Sequence, residues 1–234
     1  MNPNALPERP LLGERVRAHA AARPDAAAVV EVGVSGERAW TWAQLTAAVD
    51  TARAELTALG VGPGDTVALQ LQNRLEFVAL SVAIVEAGAT AMPLMPIFRE
   101  RELAFMLELA APRVLYVPDR FRGHDHLAMA RRLAAELPSL QHVVSLPDAE
   151  RVPTWCTSAT SVGQAYGASP TATRLPAAPD HERPDQIVDL LFTSGTSGEP
   201  KGALHRHDRL MAATARHVSH FGLSADDVIF CPAP

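Results

Sequence analysis

Apolar positions run along this chain in two rhythms. Over 42–59, Leu45, Val49, Ala52, Leu56 and Leu59 are spaced 4, 3, 4 and 3 apart. That spacing puts them on one face of a helix. Gly60 follows where a helix end favours positive φ. Beyond it, short apolar runs alternate with longer periodic ones. Residues 66–71, 89–94, 113–117 and 141–146 predict strands; 75–87, 99–109 and 126–136 predict helices. Earlier, 12–22 predicts a helix closed by Arg23-Pro24, because the residue before proline avoids the α region. Apolar runs at 28–32 and 38–42 around Gly33 and Ser35-Gly36 predict a hairpin. Strands alternating with helices of this length predict an α/β fold, a mainly parallel sheet with helices on both faces. The hairpin is expected at an edge of that sheet.

The rhythm stops at Pro147. To Pro184 the chain is rich in Pro, Ala, Ser and Thr without a period. So long a loop is unusual inside a compact domain. It resumes with IVDLLF at 187–192, a buried type of strand expected to join the same sheet. A Gly/Ser/Thr loop follows, then a helix over 207–221 ended by Gly222, and a last strand over 228–231. The expected organisation is an arm over 1–11, a first α/β subdomain over 12–146, an irregular excursion over 147–185, and a strand–loop–helix unit over 186–234.

Composition narrows the classes. The hydrophobic share of 47% and charged share of 20% fit an ordinary globular chain. A net charge of −5 without a basic stripe argues against a nucleic-acid partner. Cys156 and Cys231 form no Cys-x-x-Cys pair, so no zinc site is suggested. Their scarcity points to a reducing compartment. No signal-like stretch opens the chain and no window suits a membrane span. A cytoplasmic location is expected.

The stretch 193–202, TSGTSGEPKG, carries the chemistry. Gly195, Gly198 and Gly202 let main-chain N–H groups approach an anion. Thr193, Ser194, Thr196 and Ser197 add hydroxyl donors, and Lys201 adds a charge that can reach a phosphate oxygen. The loop leaves a buried strand, where α/β folds bind ligands. Pro200 before Lys201 and Gly202 after it exclude the Walker pattern, which needs Gly-Lys-Ser/Thr opening a helix. Gly60, Gly62 and Gly64 precede a strand instead of following one, so they read as a turn. His124, Asp125 and His126 read as a loop entering a helix with Asp125 at its N-terminus. His217 and His220 read as helix-surface residues.

The stretch 193–207, TSGTSGEPKGALHRH, resembles the signature loop of the adenylate-forming superfamily, Ser/Thr-Ser-Gly-Ser/Thr-Thr/Ser-Gly-x-Pro-Lys-Gly. Every defined position matches over 193–202. His205-Arg206-His207 is similar to the family's following His-Thr/Ser-His, with Arg206 in place of a small hydroxyl residue. Upstream, WAQL at 42–45, GVGPGDTVAL at 60–69 and NRLEFVALSVAIVEAGATAMP at 73–93 resemble other family segments. Stretches at 99–107 and 117–129 are similar to a branch, the cyclohexanecarboxylate–CoA ligase-like one, that activates alicyclic, aromatic or short-to-medium acids.

The resemblance implies an ATP-dependent ligase. It activates a carboxylic acid as acyl-AMP, releases pyrophosphate and passes the acyl group to coenzyme A. It implies that Thr193, Ser194, Gly195, Thr196, Ser197, Gly198, Lys201 and Gly202 hold the ATP phosphates. Lys201 neutralises the departing charge in that reading, and Mg2+ ligands are expected beyond Pro234. The chain covers less than half of a full-length member. It is therefore expected to be an N-terminal fragment with little activity of its own and to self-associate through the surface left exposed. Two other readings stay open: an adenylation domain loading a carrier protein, and a non-catalytic nucleotide- or partner-binding module.

Overall fold

The computed structural model describes residues 11–33, 36–147, 181–193 and 200–232. The chain opens with α1 (Leu12–Ala22), β1 (Ala27–Gly33), β2 (Gly36–Thr41) and α2 (Trp42–Ala58). There follow β3 (Thr66–Leu69), α3 (Leu75–Glu86), β4 (Thr90–Pro93), α4 (Glu100–Ala110) and β5 (Val114–Pro118). Then come β6 (Arg120–Phe121), β7 (His124–Asp125), α5 (His126–Glu136) and β8 (His142–Leu146). After the excursion lie β9 (Ile187–Thr193), β10 (Lys201–Arg206) and α6 (His207–Phe221).

Among the described residues, six strands form the central sheet in the order β10-β9-β4-β3-β5-β8. The pairs β3–β4, β3–β5, β5–β8 and β4–β9 are parallel; only β10 runs against its neighbour. Side chains alternate across the sheet. Val67, Leu69, Ala91 and Tyr116 pack under α2 and α3, whereas Ala68, Met92, Leu115 and Val117 pack under α4 and α5. Helices therefore cover both faces, as the alternation of elements predicts.

Local signals set most boundaries. Thr41 caps α2, its Oγ1 accepting from Gln44 N–H at 3.3 Å while Gln44 Oε1 accepts from Thr41 N–H at 2.9 Å. Gly60, at φ 73°, follows that helix as expected. The predicted face buries Leu45, Val49, Ala52 and Leu56. Asp125 caps α5, accepting from Ala128 N–H at 2.9 Å. Gly222, at φ 63°, closes α6.

Three expectations change. The β1–β2 hairpin forms its own two-stranded sheet instead of an edge of the central one. It is tied to α3 by charge: Arg38 pairs with Glu31 and Glu76, and Arg74 Nε donates to Glu76 Oε2 at 2.6 Å. Residues 201–206, expected as loop, form β10, because the edge of β9 offers a ladder to pair with. Residues 228–231, expected as a strand, are not one. Val228, Ile229 and Phe230 are 90%, 77% and 75% exposed, with no strand beside them among the described residues. The excursion's residues 148–180 and the arm's residues 1–10 lie outside the described residues. Among those described, no helix is long and apolar enough to cross a membrane.

Candidate functional site

The β9–β10 hairpin carries the candidate loop. Its register sets Thr193 opposite Lys201, Phe192 opposite Gly202, Leu190 opposite Leu204 and Asp189 opposite His205. Thr193 Oγ1 lies 3.4 Å from the Lys201 carbonyl and can donate to it. Both residues are exposed. Thr193, Lys201 and Gly202 are thus brought together where the hairpin opens into the loop. Ser194, Gly195, Thr196, Ser197 and Gly198 lie outside the described residues. Gly202 fits its place because a Cβ would stand 2.8 Å from Leu190 Cδ1.

The hairpin is pinned below this mouth. His205 Nδ1 lies 3.0 Å from Asp189 Oδ2 across the ladder. Burial raises the Asp189 carboxyl above its ordinary range, and His205 offsets part of that rise. At the base, His207 N–H donates to the Gln186 carbonyl at 3.0 Å and Asp208 N–H to that of Pro184 at 2.9 Å. Arg206, the departure from the family pattern, forms a bidentate pair with Asp208 at 3.1 and 2.8 Å. It is spent at the start of α6 and is not turned to the loop.

The mouth sits at the carboxyl edge of the parallel strands. Ala91 of β4 pairs with Asp189, so β9 ends on the same side as β3 and β4. β3 leads into α3 on one face, and β4 leads into α4 on the other. Divergence of this kind opens a crevice at a sheet's carboxyl edge. The rim beside it is held rigidly by its carbonyls. Gln70 Nε2 donates to Met95 O at 3.3 Å and Phe98 O at 3.0 Å. The Pro96 carbonyl accepts from Arg99 Nη1 at 2.8 Å and lies 3.0 Å from His126 Nε2. Met95 and Ile97 project from this rim, half exposed. Sequence reasoning missed Gln70, Arg99 and His126 as builders of the edge. The one available signal was a glutamine inside the otherwise apolar run at 67–71.

The other histidines singled out in the sequence pack as follows. His124 packs edge-on against His126, with Nε2 3.4 Å from Met129 Sδ. His217 and His220 lie exposed beside Phe221. Among the described residues, no group of three or more His, Cys, Asp or Glu could hold a metal ion.

A family model described as "AMP-binding enzyme" matches residues 16–234. The medium-chain fatty-acid–CoA ligase of Escherichia coli is 30% identical over 215 residues, 92% of this chain and 36% of that protein. A Mycobacterium tuberculosis salicyl-AMP ligase / salicyl-S-ArCP synthetase is 33% identical over 206 residues, 88% of this chain and 34% of that protein. The chain thus spans about a third of the length of these relatives. The structure of ATP-bound MatB from Rhodopseudomonas palustris superposes with a TM-score of 0.71 at 26% identity. It is matched over 92% of this chain and 38% of that one.

Proposed function

The chain belongs to the AMP-binding enzyme family, and from that premise we propose that it supplies the phosphate-holding part of an ATP-dependent acid–CoA ligase. The observation that carries the reading is the 193–202 sequence mounted on a pinned hairpin at the carboxyl edge of the sheet. In the proposed reaction the substrate carboxylate attacks the α-phosphate of ATP, and the α–β bridging bond breaks. Pyrophosphate leaves, and the thiol of coenzyme A then displaces AMP from the acyl-adenylate. The hydroxyls of Thr193, Ser194, Thr196 and Ser197 and the loop's N–H groups orient the β- and γ-phosphates. Lys201 meets the charge that grows on the leaving pyrophosphate.

Magnitudes rank these contributions. A neutral hydrogen bond nets about 1 kcal/mol. A unit charge pair at ~4 Å gives about 1 kcal/mol in water but about 4 at an effective dielectric of 20. Lys201 therefore matters most where water is kept from the phosphates. Magnesium would neutralise phosphate charge in such an enzyme. The described residues offer no ligand cluster for it, and no step above runs through it.

The mycobacterial relative's name includes a carrier-linked product, which supports a second reading in which the acyl group goes to a carrier-bound thiol. Coupled assays on a polypeptide of the relatives' length, with benzoate, cyclohexanecarboxylate, hexanoate and several amino acids, separate the two. Acyl-CoA formation supports the ligase. Acylation of a phosphopantetheinyl carrier with no acyl-CoA supports the second reading.

A further inference from the structure

The first N–H groups of a helix have no partner within it. In α1 those donors end on two buried side chains from the distant part of the chain. Leu12 N–H donates to His207 Nε2 at 3.1 Å. Gly13 N–H donates to both carboxylate oxygens of Glu182, at 3.0 and 3.2 Å. The side chains of Glu182 and His207 are each 1% exposed. A carboxylate placed there also meets the positive end of the helix dipole. Residue 13 must lack a side chain: a Cβ would stand 2.8 Å from Glu182 Oε2 and still closer to Glu86 Oε1. Glu86, buried itself, is held by Arg17 of α1 at 2.8 Å and Arg53 of α2 at 3.2 Å.

The same two residues flank the hairpin. Glu182 lies just before β9, and His207 directly follows β10. His207 Nδ1 is 3.3 Å from the Arg183 carbonyl, and Gln186 Nε2 donates to the Val85 carbonyl at 2.9 Å. Donating from Nδ1 and accepting at Nε2 is possible only for a neutral ring with its proton on Nδ1. Burial holds His207 below its ordinary range, against the opposing pull of the Arg183 carbonyl, Asp208 and Glu14. Both ends of the hairpin's base are thus tied to α1, while Thr193 and Lys201 stand at its opposite end.

We propose that Glu182 and His207 are positioning residues through which α1 fixes the hairpin, so that the seating of α1 sets how well the loop holds a triphosphate. The last clause rests on the reading of 193–202 as the ATP-phosphate loop; the first does not. Neither residue needs to touch the nucleotide, because β10 runs directly from Lys201 to His207.

The test uses the whole 234-residue chain as wild type, Gly13→Ala, His207→Ala and His207→Gln. Glutamine places an oxygen acceptor where Nε2 stands. Amide hydrogen exchange and ATP titration are read together. Gly13→Ala and His207→Ala should speed exchange in β9 and β10 by about three- to tenfold, the equivalent of one lost hydrogen bond. ATP affinity should fall in the same order, His207→Gln should stay near wild type, and β5 and β8 amides should not change. The proposal is overturned if α1 exchanges freely while β9 and β10 stay protected. It is overturned equally if His207→Gln behaves as His207→Ala, or if protection is lost throughout the sheet in all three variants. Should wild type bind no ATP, the ATP titration is read on a polypeptide of the relatives' length carrying the same variants, and unchanged affinity there overturns the second clause; the exchange data on residues 1–234 decide the clasp.

Discussion

Glu55 shows how one residue ties the core to pH. Burial pushes its carboxyl up to about 7, with Tyr116 pulling it part of the way back. The Tyr116 hydroxyl, buried on β5, faces it. The folded value lies above the ordinary one, so the unfolded chain gives up this proton first. The group's contribution is intact below the ordinary carboxylate range and is lost as pH rises through about 7. That loss approaches roughly 3 kcal/mol at 1.36 kcal/mol per unit. Thermal melts at about pH 5 and about pH 8 should show wild type losing more stability than Glu55→Gln across that window. Parallel losses in the two proteins would contradict the assignment. At Lys201, replacement by alanine should weaken ATP binding more than replacement of Thr193, since a charge contact outweighs a hydroxyl once water is excluded. Isothermal titration of the two variants would check the order. The candidate loop at 193–202 could be named from sequence because its residues are contiguous. Leu12 and His207 are 195 positions apart, and no local pattern announces their contact.

Among elements, the β9–β10 hairpin was only half legible. Residues 187–192 read as a strand from their apolar run, but KGALHR has small and charged residues and little alternation. It pairs because β9 would otherwise leave its outer edge open. The opposite error, at 228–231, has the same cause: an apolar run becomes a strand only where a partner exists. The Asp189–His205 contact holds the hairpin's register. His205→Ala should leave Asp189 half-buried without this partner and cost about 1 kcal/mol. Urea unfolding of His205→Ala and of Asp189→Asn/His205→Ala should show the double variant recovering part of the loss, because no charge is then left to bury. Equal stability of the two variants would argue against that role.

Across the whole molecule, strand type was readable and strand order was not. The alternation of periods predicts parallel strands with helices on two faces. It cannot say that the chain steps from β3 to β4, returns past β3 to β5, and later sets β9 beside β4. That order brings the hairpin mouth to the carboxyl edge, beside the rim held by Gln70, Arg99 and His126. The chain spans about a third of the length of these relatives, and the proposal gives it the phosphate-holding part of such an enzyme.

Carboxylate-dependent ATP–pyrophosphate exchange tests that assignment most directly, measured on residues 1–234, on a polypeptide of the relatives' length, and on the longer one carrying Lys201→Ala. Exchange is expected from the longer polypeptide alone, reduced about 10²–10³-fold by Lys201→Ala. Exchange by residues 1–234 alone, or exchange indifferent to Lys201, would contradict that assignment.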